Sequence, residues 1–289
     1  MAKGSVITTH LINGDPQGIR NVFIKNKTCQ MFVIPRELLT DALTNNDINL
    51  VQPAIYILIE NVASGDGSNP KAYIGHAEDI SARLTQHNRS KEDKVNFFQY
   101  ALVFLSTDHS INKADVQYME HEAIVQAREC CRYVLTNENS GTKPHLTPDQ
   151  RDVVEEFWDF VKLLTSFYGC KIFVKPLSIS STSSMSKNEI FFLNWKGFVS
   201  KAIYGNGEMV ILKGSQIRKE TVKSRLKDDK KRKKFISENC YEKDGVLYLK
   251  HDVPCSSPSE AALLACGTGL NGWVHWKNPE GRTLDEVYR

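Results

Sequence analysis

Five polar residues between positions 56 and 120 are of the types that phosphodiester hydrolysis needs: Tyr56, Tyr73, Arg83, His87 and Glu120. A divalent cation needs a carboxylate ligand, the non-bridging oxygens of a phosphate need a positive charge, and an attacking water needs a base. Glu120 suits the first task. Arg83 suits the second, because a planar guanidinium meets two phosphate oxygens at once. The third could fall to His87, which titrates near neutrality, or to Tyr56, whose phenol, with a pKa of about 10, would need a neighbouring cation. Taken singly, none is distinctive. A Tyr in an apolar strand is usually core, and a helical Arg, His or Glu is usually solvated. Their joint spacing is what counts.

Arg83 and His87 lie four apart in residues 78–87, where Ile80 and Leu84 recur at helical spacing, so both project from one helix face. Tyr56 lies in residues 54–59, AIYILI, a continuous apolar and β-rich run that reads as a buried strand. Tyr73 lies in a second short strand, residues 72–75. Glu120 follows Met119 on a helix expected from Lys113 to about residue 132, capped by Asn112, with Val116, Met119, Ala123 and Ala127 as its apolar stripe. It stands at the edge of the buried face. Residues 100–105 form a further buried strand. Thr147-Pro148 with Gln150 opens a helix that stops at Gly169. Residues 171–174 read as a closing strand.

Around this segment the chain divides into four parts. Residues 1–50 form a β-rich N-terminal element: strands at 6–12, 22–24 and 31–34, a turn at Asn13-Gly14-Asp15-Pro16, and a short helix opened by Pro35. Fifty residues make a marginal core, so this element should pack on residues 51–177. Residues 178–187 are a Ser-rich linker. Residues 188–289 form a small domain with strands at 189–193, 198–204, 209–212 and 246–249, and a helix from Ser257 to Gly267.

The 289 residues carry a formal charge of +3, unevenly distributed. Residues 218–234 hold ten Lys/Arg against three Asp/Glu, a local balance of +7, which leaves −4 for the rest. One basic segment on a mildly acidic body suits a local phosphate contact, with Arg225, Lys227, Lys231 and Arg232 as candidates. The plain alternative is a solvated charged helix. Trp273 and Trp276 could stack on bases, though the core of a small domain is the more ordinary place for them. Seven cysteines without any Cys-x-x-Cys spacing read as reduced thiols, and none shows a neighbouring base. No apolar run reaches the ~18 residues of a membrane span. A soluble, cytoplasmic protein without a membrane partner is the expectation.

The runs AIYILIE, KAYIGHAEDISARLTQH and YMEHEA, with Tyr-Ile-Gly followed by Arg at +10 and His at +14, resemble the GIY-YIG nuclease superfamily in its bacterial forms. The resemblance implies an α+β fold, an α/β sandwich around a small three-stranded sheet, with the β-rich element before it and a small α+β domain after it. It makes Tyr56 and Tyr73 the motif tyrosines, Arg83 the catalytic arginine, His87 the residue one turn later and Glu120 the ligand of Mg2+ or Mn2+. Asn137 resembles an asparagine that some members place near the site. Three features depart from the pattern, the first being a long connection between the motif halves, with Tyr56 and Tyr73 seventeen apart. Ala54 replaces the first motif's glycine, and His76 stands where some relatives carry lysine for phosphate contact. Residues 6–24 and 33–39 look like the N-terminal segment of bacterial GIY-YIG proteins of unassigned role. Residues 256–289 are similar to a numbered domain of unknown function, DUF4357. The implied activity is cation-dependent endonucleolytic hydrolysis of nucleic acid, DNA rather than RNA, with a dimer as one route to double-strand cleavage. A different class of reading is a non-catalytic nucleic-acid- or protein-binding module on the same fold. A thiol-based repair enzyme or reductase finds no support in the cysteine pattern.

Overall fold

The structure, a computed structural model, describes residues 4–60, 70–89, 94–175, 189–205, 207–222, 229–255 and 257–289. The Ser-rich linker lies outside the described residues. The chain separates into two units, Met1–Lys175 and Pro176–Arg289. No helix of the described residues is long and apolar enough to cross a membrane.

The N-terminal unit is built on one sheet of β1 (Ile7–Leu11), β2 (Arg20–Ile24), β3 (Cys29–Pro35), β4 (Ala54–Ile59), β5 (Lys71–Ala77), β6 (Tyr100–Ser106) and β7 (Val134–Leu135). Its order is β1-β2-β3-β6-β4-β5-β7. All neighbours are antiparallel except β5 and β7. The sheet is thus larger than the small three-stranded one expected: the strands read at 54–59, 72–75 and 100–105 are β4, β5 and β6 of seven. The β-rich element continues it, because β3 pairs with β6 along seven positions, from Cys29↔Ser106 to Pro35↔Tyr100. Edge-on pairing satisfies the backbone of both strands, which face-to-face packing would not.

Helices cover both faces, so the central strands alternate between two cores. Ile55, Ile57 and Ile59 of β4 join the core under α3 (Lys113–Cys130) and α4 (Pro148–Phe167). Ala54, Tyr56 and Leu58 join the opposite core, which holds residues of α1 (Leu39–Thr44) and α2 (Ile80–Arg89). A strand covered on both faces needs no polar side, which is why AIYILI is apolar throughout. The helix starts follow their caps. Asp79 accepts from the Ala82 amide at 3.0 Å, so α2 opens after Asp79 and not at Glu78. Asn112 caps α3 in a reciprocal box with Asp115, and Thr147 does the same for α4 with Gln150.

Residues 171–174 are a turn, closed by the Val174 amide on the Lys171 carbonyl at 3.0 Å. Ile172 and Phe173 are consecutive yet both buried in the same core, with Phe173 edge-on to Trp158 of α4 at 4.8 Å. A strand would have sent them to opposite faces.

The C-terminal unit has a four-stranded antiparallel sheet, β14-β10-β9-β8, made of β8 (Ile190–Trp195), β9 (Phe198–Gly205), β10 (Glu208–Ile211) and β14 (Val253–Cys255). A three-stranded sheet, β11-β13-β12, contains β11 (Gln216–Ile217), β12 (Cys240–Lys243) and β13 (Val246–Leu249). α5 (Asp229–Asn239), α6 (Pro258–Cys266), α7 (Gly272–His275) and α8 (Leu284–Tyr288) complete it. Ser257 caps α6, and Gly267 ends it at φ +67°. Trp276 is fully buried, its indole N–H donating to the Pro258 carbonyl at 3.1 Å, so it is core and no stacking platform. Trp273 is half-buried, packed edge-on to Tyr204 at 5.3 Å with the Arg289 guanidinium over its ring.

Candidate active site

The site forms where the two faces of the N-terminal sheet meet, along the outer edge of β5. β7 pairs only with Lys71 and Ala72. Asn137 takes over the next position, its amide accepting from the Ile74 N–H at 3.0 Å and donating to the Ile74 carbonyl at 2.7 Å. Among the described residues no strand pairs with this edge further along. α2 on one face and α3 on the other can therefore both present side chains there.

From the α2 side come Tyr56, Tyr73, Arg83 and His87. Tyr56 is fully buried on β4, opposite Gly75 of β5. A Cβ on Gly75 would overlap the phenolic oxygen of Tyr56, so the glycine of Tyr-Ile-Gly is there for space. Arg83 Nε donates to the Tyr56 oxygen at 3.2 Å, and that oxygen lies 2.9 Å from Nε2 of buried His87. The phenolic oxygen thus ties the guanidinium to the imidazole, and which of Tyr56 and His87 donates follows the imidazole tautomer. Tyr73 closes the cluster, its ring 6.2 Å from Tyr56 and edge-on to His87 at 5.7 Å. Gln86, one turn from Arg83, accepts from its Nη1 at 2.6 Å.

Electrostatics act on two members of this cluster, Tyr56 and Arg83. Burial, with the neighbouring Tyr73 phenol second, pushes the Tyr56 hydroxyl far above its ordinary value, and the Arg83 guanidinium does not offset it. In this structure Tyr56 is therefore a neutral phenol near neutrality, in contact with Arg83 and His87. Desolvation works against the charge of Arg83, but its bonds to Tyr56 and Tyr73 outweigh that and hold the guanidinium above its ordinary pKa.

From the α3 side comes Glu120. Successive residues of β5 alternate faces, so His76 points to α3, and its Nδ1 lies 2.8 Å from Glu120 Oε2. His76 is thus engaged with the carboxylate. The loop after β7 folds over this side, braced by Asn137 and by Arg128, whose Nη2 donates to the Asn137 and Glu138 carbonyls at 3.2 and 3.3 Å. Gly141, at φ +68°, passes close to Glu120: a Cβ there would lie 3.7 Å from Oε2.

Between the two sides lies a cleft of about 490 Å3. Tyr73, Arg83 and His87 line it from one wall, and Glu120, Asn137 and Gly141 from the other. Tyr56 sits beneath that lining. Lys94, Gln86 and Glu138 also line the cleft, and the sequence reading passed over all three. Gln86 carried a signal in its i+3 spacing from Arg83, whereas Lys94 and Glu138 carried none. Asn137 has both ends of its amide committed to Ile74, so it acts there as a brace for the loop.

The basic segment gives a different result. Arg225, Lys227 and the side chain of Lys231 lie outside the described residues. Arg232 is corrected: it is 1% exposed and inward, donating to the carbonyls of Leu264, Lys219 and Arg218 and to the Thr221 hydroxyl. A guanidinium so enclosed has no face left for a phosphate. The cysteines are all free thiols, with Cys131 exposed and the others buried. Burial pushes the Cys240 thiol up to about 11 and that of Cys266 to about 12, the opposite of what a nucleophile needs.

A family model described as Domain of unknown function (DUF4357) matches residues 191–288, within the C-terminal unit. No GIY-YIG family model matches the N-terminal unit. No curated protein and no solved structure matches the chain. The C-terminal resemblance is thereby placed on a family without an assigned role. The N-terminal unit must be read from its own residues.

Proposed function

We propose that the N-terminal unit is a divalent-cation-dependent endonuclease of the GIY-YIG type, hydrolysing the phosphodiester backbone of nucleic acid, DNA in preference to RNA. One observation carries the reading. Residues from one strand and two helices, on opposite faces of a sheet, bring an arginine, a phenol, an imidazole and a carboxylate to one cleft.

The donor set fits a hard cation. Glu120 supplies one carboxylate, and among the described residues no group of three His, Cys, Asp or Glu could enclose an ion. Mg2+ and Mn2+ are commonly held this way, by one or two carboxylates with water and substrate phosphate filling the remaining positions. Glu120 would hold the cation, which would polarise the phosphate and lower the pKa of a bound water. Arg83, kept charged by two phenols, neutralises the charge that develops on the phosphate oxygens. Gln86 and Tyr56 hold two sides of the guanidinium, so its orientation is set before substrate arrives. Tyr73, open to the cleft and bonded to Arg83, is the phenol placed to orient the attacking water. Tyr56 is a positioning residue, and so is His76 through Glu120. One cleft per chain cuts one strand per encounter, so a double-strand break needs two copies or two successive nicks.

The test compares wild type with Glu120→Ala on supercoiled plasmid and on single-stranded DNA, with Mg2+, Mn2+ or EDTA. Wild type nicks both with either cation, and EDTA or Glu120→Ala lowers the rate by about a thousandfold. Nucleic-acid binding without any cleavage under all these conditions would replace this reading with a non-catalytic binding module.

A further inference from the structure

We infer that Lys94 is a contact for a substrate phosphate, and that Glu138 occupies it as an internal stand-in anion until substrate arrives. The inference rests on the nucleic-acid reading of the cleft. Lys94 Nζ and Glu138 Oε1 are 2.6 Å apart, and both residues line the cleft that Arg83 and Glu120 line. The bond joins two loops 44 residues apart in sequence, one following α2 and one following β7.

The main chain at Glu138 is pinned from below, because Arg128 takes the carbonyls of Asn137 and Glu138 and Asn137 takes both polar groups of Ile74. The carboxylate is thus presented at a fixed height on the cleft wall. The pair itself is loosely held, with side-chain exposures of 59% for Lys94 and 76% for Glu138. Exposed ion pairs of this kind are weak and readily exchanged. A phosphodiester group brings the same charge and the same acceptor oxygens as the carboxylate it would displace. Glu120 differs from Glu138 in this respect, being more enclosed and paired with His76. The cleft therefore holds one carboxylate suited to stay and one suited to leave.

Equilibrium binding of fluorescein-labelled single-stranded and duplex DNA, followed by anisotropy in EDTA over a salt series, tests this. Lys94→Ala should weaken binding about threefold to tenfold and reduce the duplex salt slope by about 0.9, the loss of one phosphate contact. Glu138→Gln should tighten binding about twofold to fivefold. In the Lys94→Ala background most of that gain should vanish, because Glu138 acts through Lys94. The inference is overturned if Lys94→Ala binds like wild type, if Glu138→Gln binds more weakly, or if its gain persists in full without Lys94. Loss of binding in Arg83→Ala, with Lys94→Ala indistinguishable from wild type, sinks this inference alone. A wild type that binds neither probe sinks the nuclease reading with it.

Discussion

Arg83 and Arg232 are both arginines on helices, both withdrawn from bulk water, and both held by several acceptors, yet their surroundings assign them opposite work. Arg232 in the C-terminal unit is met by backbone carbonyls and a hydroxyl on every side, including Leu264 near the end of α6, where the helix dipole favours a cation. Gly267 beside it tolerates no side chain, since a Cβ would run into the Glu220 carbonyl and the Arg232 guanidinium. That charge is spent on holding chain segments together. Arg83 is met by three side chains, two phenols and an amide, and, among the described residues, by no backbone carbonyl that holds it in place, and it lines a cleft. The lesson is about acceptors. A guanidinium enclosed by carbonyls is a structural staple, whereas one aimed by phenols at the wall of a cleft keeps its charge available.

This comparison can be broken in three ways, taken from the largest expected effect to the smallest. Arg83→Ala should lower the cleavage rate by about a thousandfold, equivalent to about 4 kcal/mol of transition-state stabilisation, with a stability change under about 1 kcal/mol. Single-turnover kinetics beside urea denaturation separate the two, and a variant that loses stability but keeps its rate would make Arg83 another staple. Arg232→Ala should do the reverse. Leaving several buried carbonyls unpaired should cost the C-terminal unit about 3 kcal/mol, seen as an earlier denaturation transition, with cleavage by the N-terminal unit unchanged.

Tyr56→Phe sharpens the role of the phenol that aims Arg83. The rate should drop about tenfold while the pH–rate profile keeps its shape, because the hydroxyl is protonated across the working range. Disappearance of a limb of that profile would make Tyr56 the base after all. The same substitution has a signature in stability. Burial raises the folded-state pKa of Tyr56, so its contribution is fully present below the ordinary tyrosine value of 10.0 and is lost as pH rises above it. Wild type should therefore lose stability between about pH 10 and 12 more steeply than Tyr56→Phe, as thermal midpoints would show.

Much of this was legible in the residues. The apolar run 54–59, the Asn112 and Thr147 caps and the Ser257 to Gly267 helix follow from local chemistry, and the structure places each of them. Arg83 and His87 had to share a face, since four residues make about one turn. Other features were out of reach for equally physical reasons. β7 is two residues long, and a bridge that short has no periodicity to detect. Residues 171–174 are apolar enough for a strand, but they close into a turn that buries Ile172 and Phe173 in one core. Arg232 sits in a run of lysines that reads as solvated, and only the carbonyls gathered from residues 218, 219 and 264 turn it inward.

The sequence by itself determined the types of the capped helices and the central strands, and the inventory of chemistry, because helix caps, strand alternation and i+4 spacing are short-range consequences of covalent geometry. It did not determine that Gly75 makes room for Tyr56. Which charges face a substrate and which are buried was decided only by the tertiary structure. Burial, acceptor count and the meeting of α2 and α3 at the edge of β5 depend on groups tens of residues apart. Desolvation then sets whether each one stays charged, stays neutral or is free to exchange its partner.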